Sequence, residues 1–192
     1  MATLDGFSLA RLADLVDYPG PTWPHVLEEA RRYAGSWPES ARGELTAFLD
    51  WAEPRPAVEL EELYAATFDS SDDCALEVGW HLYGEAYQRG VFLVEMRGRL
   101  RQCGIEEGGE LPDHLSHVLR WLAAAEAKEA SRLERFALAP AIAAIVAGLE
   151  RRASPYAPLL RAALRAVDPT GVAVAARAPR AVQPQSFEGG CG

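Results

Sequence analysis

The sequence predicts an all-α protein, a single-domain bundle of about eight helices. Alanine, leucine, glutamate and arginine are the dominant residues of the 192-residue chain, and β-branched residues are few, so helix is favoured. Apolar residues recur every three or four positions, and no alternation of strand and helix patterns is visible. We expect residues 1–168 to form one helical domain. Residues 169–192 contain three prolines and end in Gly-Gly-Cys-Gly, which predicts a flexible tail.

Four short helices are predicted in the first third of the chain. The first covers residues 8–16, and Thr22 is placed to cap the second. Ser36 and Glu39 have the spacing of a capping box, which predicts the start of the third helix. The fourth covers about residues 58–68.

Longer helices are predicted in the remainder. A continuous fifth helix covers about residues 76–103, and Pro112 opens a sixth. A seventh covers about residues 127–151, where Pro140 is expected to kink or split it. The eighth begins at residues 154–155. The fifth helix carries an aromatic and apolar stripe near one face: Trp80, Tyr83, Tyr87, Val91 and Val94.

Charge and hydropathy exclude several classes of function. The net charge of −9 repels phosphate backbones, so we expect no nucleic-acid partner. The N-terminal residues have neither the basic region nor the apolar core of a signal peptide. No apolar run reaches the roughly 18 residues of a membrane helix. These patterns predict a cytoplasmic protein without membrane insertion.

Sequence motifs for the common catalytic chemistries are missing. Phosphate-binding glycine loops, a Gly-x-Ser-x-Gly elbow and His-Glu-x-x-His do not occur. No histidine has a glutamate three positions before it, which excludes the di-iron pattern of helical bundles. The three cysteines lie far apart and form no Cys-x-x-Cys pair. We therefore expect no enzymatic activity and no bound cofactor.

One polar cluster leaves two interpretations open. His114 and His117 lie three residues apart, beside Glu110 and Asp113. A histidine pair at this spacing can bind a metal from one helix face, which would make the chain a metal-binding protein or an enzyme. The alternative is a helix start, with Asp113 in the first turn accepting backbone N–H bonds. Two histidines alone do not complete a zinc site, so the second interpretation is favoured.

Five segments carry a resemblance to a known family. They lie in order at residues 9–23, 62–69, 81–96, 109–123 and 154–164, and read LARLADLVDYPGPTW, ELYAATFD, HLYGEAYQRGVFLVEM, GELPDHLSHVLRWLA and SPYAPLLRAAL. Together they resemble the nitrate reductase assembly chaperones of the NarJ type, within the wider TorD and DmsD family of redox-enzyme maturation chaperones. The Glu-Leu-Pro-Asp-His form at residues 110–114 is that of the nitrate reductase branch.

The resemblance implies a function and a partner. It implies a chaperone that binds the N-terminal segment of a molybdenum-enzyme catalytic subunit, most simply nitrate reductase. The chaperone holds the apo-subunit until the molybdenum cofactor is inserted, before membrane docking. Proteins of molybdenum cofactor biosynthesis are a second class of candidate partner. Carried over to this sequence, the resemblance implies a peptide-binding groove at Tyr64, Phe68, Asp69, Asp113 and His114, with Tyr83, Tyr87 and Arg89 as neighbours.

The residue types in this groove suit a cationic helix. Aromatic side chains at helical spacing can floor an apolar trench, and the aspartates of residues 69–73 can bind arginine or lysine of a client. The same aromatic spacing is also typical of core residues. Likewise, Arg89 can simply pair with Glu85 on the surface. With an ordinary pKa of about 6.5, His114 would change charge near cellular pH and make peptide affinity pH-dependent.

Overall fold

The computed structural model describes residues 5–168 and 170–171 and confirms the all-α prediction. No strand occurs among the described residues; an isolated antiparallel bridge joins Glu77 and His114. The α-helices are α1 (Gly6–Leu15), α2 (Trp23–Tyr33), α3 (Glu39–Ala52), α4 (Ala57–Tyr64), α5 (Val78–Tyr83), α6 (Tyr87–Gln102), α7 (Leu115–Ala124), α8 (Ala127–Leu133), α9 (Ala139–Arg151) and α10 (Ala157–Val167). Two π-helical turns, Ala65–Asp69 and Glu134–Leu138, extend α4 and join α8 to α9. The predicted tail lies outside the described residues, apart from residues 170–171.

The core is a layer of aromatic and leucine side chains between the helices. Helix α10 packs against both α3 and α9, while α1 packs against α7. Phe48 of α3 and Tyr156, which precedes α10, are fully buried with ring centroids 5.7 Å apart. Each such side chain stabilises the fold by roughly 1.5–3 kcal/mol through burial. This aromatic core extends to Tyr64 and Phe68 and so supports the end of α4.

The predicted continuous fifth helix is wrong, because it breaks into α5 and α6. Helix α5 ends at Tyr83, and Gly84 follows with a φ of 56°. Glycine has no Cβ and adopts this left-handed conformation without the strain that other residues incur. The turn reorients the chain, so α6 buries Phe92, Met96 and Leu100 instead of the predicted stripe.

Two other local predictions have different outcomes. The capping box is wrong: α3 starts at Glu39 after Pro38, and the Ser36 hydroxyl donates to the Tyr33 carbonyl oxygen at 2.8 Å. The seventh predicted helix is helical over its whole predicted span, as α8, a π turn and α9. The π turn ends at Leu138, two residues before Pro140, whose ring would otherwise clash with the preceding turn.

None of the helices in the described part of the chain combines the length and apolar character needed to cross a membrane.

Candidate functional site

A cavity of about 400 Å³ lies between the end of α4, the 69–77 loop, helix α5 and the loop before α7. Aromatic, acidic and basic side chains line it. The lining residues are Tyr64, Phe68, Asp69, Ser71, Asp72, Ala75, Leu76, Glu77, Trp80, Arg89, Glu110 and His114.

The floor of the cavity is the aromatic end of α4. Tyr64 and Phe68 lie one helical turn apart, with ring centroids 4.8 Å apart. The Tyr64 hydroxyl donates to the Val16 carbonyl oxygen at 3.1 Å, and Phe68 packs against Tyr156 at 5.0 Å. Both rings are at most 5% exposed, so they are core residues whose edges also form the cavity wall. Burial raises the pKa of Tyr64 above its ordinary range, so its hydroxyl stays neutral.

Trp80 forms a wall of the cavity that the sequence-based site did not include. Its indole Nε1 donates to the Asp72 carbonyl oxygen at 3.0 Å, which fixes the ring against the 69–77 loop. The Arg89 guanidinium lies 5.3 Å from the ring centroid of Trp80, a distance at which a cation is attracted to the ring face. The alternative pairing of Arg89 with Glu85 is therefore not the arrangement seen. In the sequence, Trp80 is one of several apolar residues in the predicted stripe, and nothing in that pattern indicates that it lines a site while its neighbours do not.

The rim of the cavity is acidic. Asp69, Asp72, Glu77 and Glu110 contribute four carboxylates to the lining, against the single guanidinium of Arg89. Partial burial raises the pKa of Glu110, and the negative charges of Glu77 and Asp69 act in the same direction. The smaller part of this shift comes from repulsion between neighbouring carboxylates. A ligand that brings positive charge would relieve this repulsion.

Asp73, the remaining acidic residue of the 69–73 segment, is not in the cavity lining. Its carboxylate pairs with Arg151 of α9 at 3.0 Å, where both side chains are exposed.

Asp113 supports the cavity from behind. It is fully buried, and its Oδ2 accepts the Gly79 N–H at 3.0 Å, while its carbonyl oxygen accepts the Val78 N–H at 2.9 Å. The Arg89 Nε lies 4.0 Å from Oδ2. Burial raises the pKa of Asp113, and the nearby Arg89 opposes that shift. These bonds tie the loop before α7 to the start of α5. The prediction that Asp113 lies in the first turn of a helix is therefore wrong.

His114 is the N-cap of α7 and also lines the cavity. Its Nδ1 accepts the Ser116 N–H at 3.3 Å, and the side chain is only 3% exposed. Burial lowers the pKa of His114 to about 4, so the ring is neutral throughout the cellular pH range. The expectation that His114 titrates near neutrality is therefore wrong for the unliganded protein.

The histidine pair does not assemble a metal-ligand cluster. The rings of His114 and His117 lie 6.0 Å apart, and the His117 Nδ1 is 2.8 Å from the Leu111 carbonyl oxygen. Among the described residues, no three histidine, cysteine, aspartate or glutamate side chains come together in a group that can hold a metal ion. The metal interpretation of Glu110, Asp113, His114 and His117 therefore has no geometric support in this part of the chain.

The structure brings together most, but not all, of the predicted groove. Tyr64, Phe68, Asp69, Arg89 and His114 share the cavity, and Asp113 lies behind it. Tyr83 and Tyr87 are not in its lining. The break at Gly84 separates them: Tyr83 lines a second depression of about 370 Å³ with Phe92 and Phe136, and Tyr87 is 85% exposed.

The fold and the site define an all-helical protein with an acidic cavity built on aromatic side chains. Comparison with known proteins identifies the family: the chain belongs to the nitrate reductase delta subunit family, whose model matches residues 35–162. The matched range contains every residue that lines the cavity.

Named relatives come from two bacteria. The chain is 30% identical to the nitrate reductase molybdenum cofactor assembly chaperone NarJ of Escherichia coli K12, over 86% of this chain and 73% of that protein. It is 28% identical to the probable nitrate reductase molybdenum cofactor assembly chaperone NarJ of Bacillus subtilis 168, over 86% of this chain and 90% of that protein. These relatives are assembly chaperones, not enzymes, in agreement with the expectation from the sequence.

Proposed function

We propose that this protein is an assembly chaperone for a molybdenum oxidoreductase, with nitrate reductase as the client. It binds the N-terminal segment of the catalytic subunit and holds the apo-subunit in the cytoplasm until the molybdenum cofactor is inserted, before membrane docking. The family and the named relatives support the assembly role. The acidic aromatic cavity supports the choice of a cationic segment as ligand, and it is the observation on which the binding site rests.

The size of the cavity suits a ligand that inserts only a few side chains of a helical or extended segment. A volume of about 400 Å³ lies at the lower end of the range for small-ligand sites. In helix-in-groove recognition, the anchors of a peptide enter such hollows while the rest of the helix lies across the rim. Tyr64, Phe68 and Trp80 supply the apolar surface for these anchors.

Charge explains why the ligand should be basic. Four lining carboxylates face one guanidinium, and a cation placed among them replaces repulsion by attraction. A single charge pair 4 Å apart is worth about 4 kcal/mol at the effective dielectric near a protein surface, before the cost of desolvation. The net charge of −9 also favours fast encounter with a cationic segment.

Arg89 has a defined place in this scheme. In the unliganded protein its guanidinium covers the Trp80 ring and lies near the buried Asp113. The ring face of Trp80 suits another guanidinium equally well. An arginine of the client can therefore stack on Trp80 once Arg89 moves aside, and Arg89 can remain close to the Asp113 carboxylate.

Calorimetric titration tests the binding site. The ligand is a synthetic peptide with the N-terminal sequence of the nitrate reductase catalytic subunit, and the protein carries Glu77→Gln and Glu110→Gln. We expect binding at least tenfold weaker than for the unmodified chain, which corresponds to about 1.4 kcal/mol. A control with Glu62→Gln and Glu106→Gln has the same net charge, and both of its sites are exposed and outside the cavity lining.

Equal affinities for the two double variants would show that general charge, and not the cavity, attracts the peptide.

A chaperone must also release its client. The protein should therefore co-purify with the catalytic subunit before cofactor insertion and be missing from the mature enzyme. A stoichiometric copy in the mature enzyme would identify a permanent subunit instead.

A further inference from the structure

We propose that residues 172–187 of this same chain occupy the acidic cavity when no client is bound, and that a client must displace them. This inference rests on the proposed function, because it assigns a second ligand to the same site. It concerns a part of the sequence outside the family match, which ends at residue 162.

The charge pattern of this segment is opposite to that of the cavity. Residues 172–187 contain Arg177 and Arg180 and no aspartate or glutamate, although the whole chain has a net charge of −9. Valines at 172, 174 and 182 and a phenylalanine at 187 flank the two arginines. The segment therefore combines positive charge with apolar side chains, which is the chemistry that the cavity suits.

The two arginines can reach the cavity. Tyr156 lies 5.0 Å from Phe68, so the start of α10 lies beside the cavity floor. Helix α10 has 11 residues and places its other end about 16 Å away. From Asp168 to Arg177, roughly nine residues in extended form span about 30 Å. This length exceeds the distance from the end of α10 back to the cavity floor. The remaining length is enough for the chain to pass over the rim of the cavity.

Attachment makes even a weak ligand effective. A ligand joined to its site by a short connection acts at a concentration on the order of 1 mM. If the free segment binds with a dissociation constant of roughly 0.1 mM, the attached segment lowers the apparent affinity for a competing client about tenfold. The segment would then select for clients that bind tightly and would cover the aromatic surface in their absence.

The first arm of the test is a titration of the nitrate reductase N-terminal peptide into the full-length chain carrying Arg177→Gln and Arg180→Gln. We expect about tenfold tighter binding than for the unmodified chain. The matched control carries Arg101→Gln and Arg152→Gln, two exposed arginines outside the cavity lining. This control removes the same positive charge, and we expect less than a twofold change.

The second arm is a titration of a synthetic peptide with the sequence of residues 170–187. It should bind the Arg177→Gln, Arg180→Gln chain, and additional Glu77→Gln and Glu110→Gln changes should abolish that binding. If the tail variant binds the nitrate reductase peptide no more tightly than the control variant does, the inference is overturned. The proposed function fails separately, if Glu77→Gln and Glu110→Gln leave the affinity for the nitrate reductase peptide unchanged in the Arg177→Gln, Arg180→Gln chain, where the tail no longer competes for the cavity.

Discussion

Replacing Gly79 by alanine should disrupt the contact that joins the loop before α7 to helix α5. A Cβ at this position would lie 2.6 Å from the Asp113 Oδ2 and 3.0 Å from the Phe92 Cδ1. The first distance is too short for any real contact, and Asp113 is fully buried. The carboxylate must therefore move away from the Gly79 N–H, which it now accepts at 3.0 Å.

The cost has two parts. A hydrogen bond to a charged group contributes about 1.5–3 kcal/mol, and overpacking a buried site costs about 1–3 kcal/mol. The better helix propensity of alanine offsets about 0.5–1 kcal/mol of this loss in the free energy of unfolding. We expect a net loss of about 2–4 kcal/mol in the free energy of unfolding. For a chain of this size, the thermal midpoint should fall by roughly 5–15 °C.

Urea denaturation followed by circular dichroism measures this loss, and Gly90→Ala is the matched control. Gly90 lies within α6, and a Cβ there would meet nothing within 4 Å. That variant should be unchanged or more stable by about 0.5–1 kcal/mol. If Gly79→Ala is as stable as Gly90→Ala, Asp113 is not held as described, and the argument for its supporting role is wrong.

Three further predictions follow from individual contacts. Gly84→Ala should lower the free energy of unfolding by about 1 kcal/mol or more, because alanine resists the φ of 56° that Gly84 adopts; urea denaturation measures it. Tyr64→Phe should cost about 1 kcal/mol by the same measurement, because the buried bond to the Val16 carbonyl oxygen is lost. His114 has a folded-state pKa of about 4, below its unfolded value of about 6.5. The neutral His114 ring therefore contributes fully to the free energy of unfolding above pH 6.5. About 3 kcal/mol of that free energy should be lost as the pH falls to 4. Denaturation of His114→Gln across this range should lack that component, and an unchanged pH profile would contradict the assignment.

The helices were predictable from sequence because their signals are local. Apolar periodicity and prolines located most of them to within a few residues. The helix predicted over residues 58–68 is α-helical only to Tyr64, and a π turn continues it to Asp69. The break between α5 and α6 was missed because an isolated glycine does not interrupt the periodic pattern. The residues that α6 buries, Phe92, Met96 and Leu100, are fixed by tertiary packing, which local sequence does not specify.

The site was predictable only where its residues lie in recognisable segments. Tyr64, Phe68 and His114 belong to such segments and line the cavity. Trp80 and Glu77 were not singled out, because they reach the cavity through the fold of the 69–77 loop and its bridge to His114. Tertiary contacts of this kind leave no periodic signal in the sequence.

Whether the client peptide enters the acidic cavity is tested by the nuclear magnetic resonance spectrum of the tryptophan indole N–H groups during titration with the nitrate reductase N-terminal peptide. The chain has five tryptophans, and Trp80→Phe assigns the signal from the cavity. We expect a large shift of the Trp80 signal and little change at Trp37, which is buried in the core. Saturable peptide binding that leaves the Trp80 signal in place would contradict it, because the peptide would then lie on another surface.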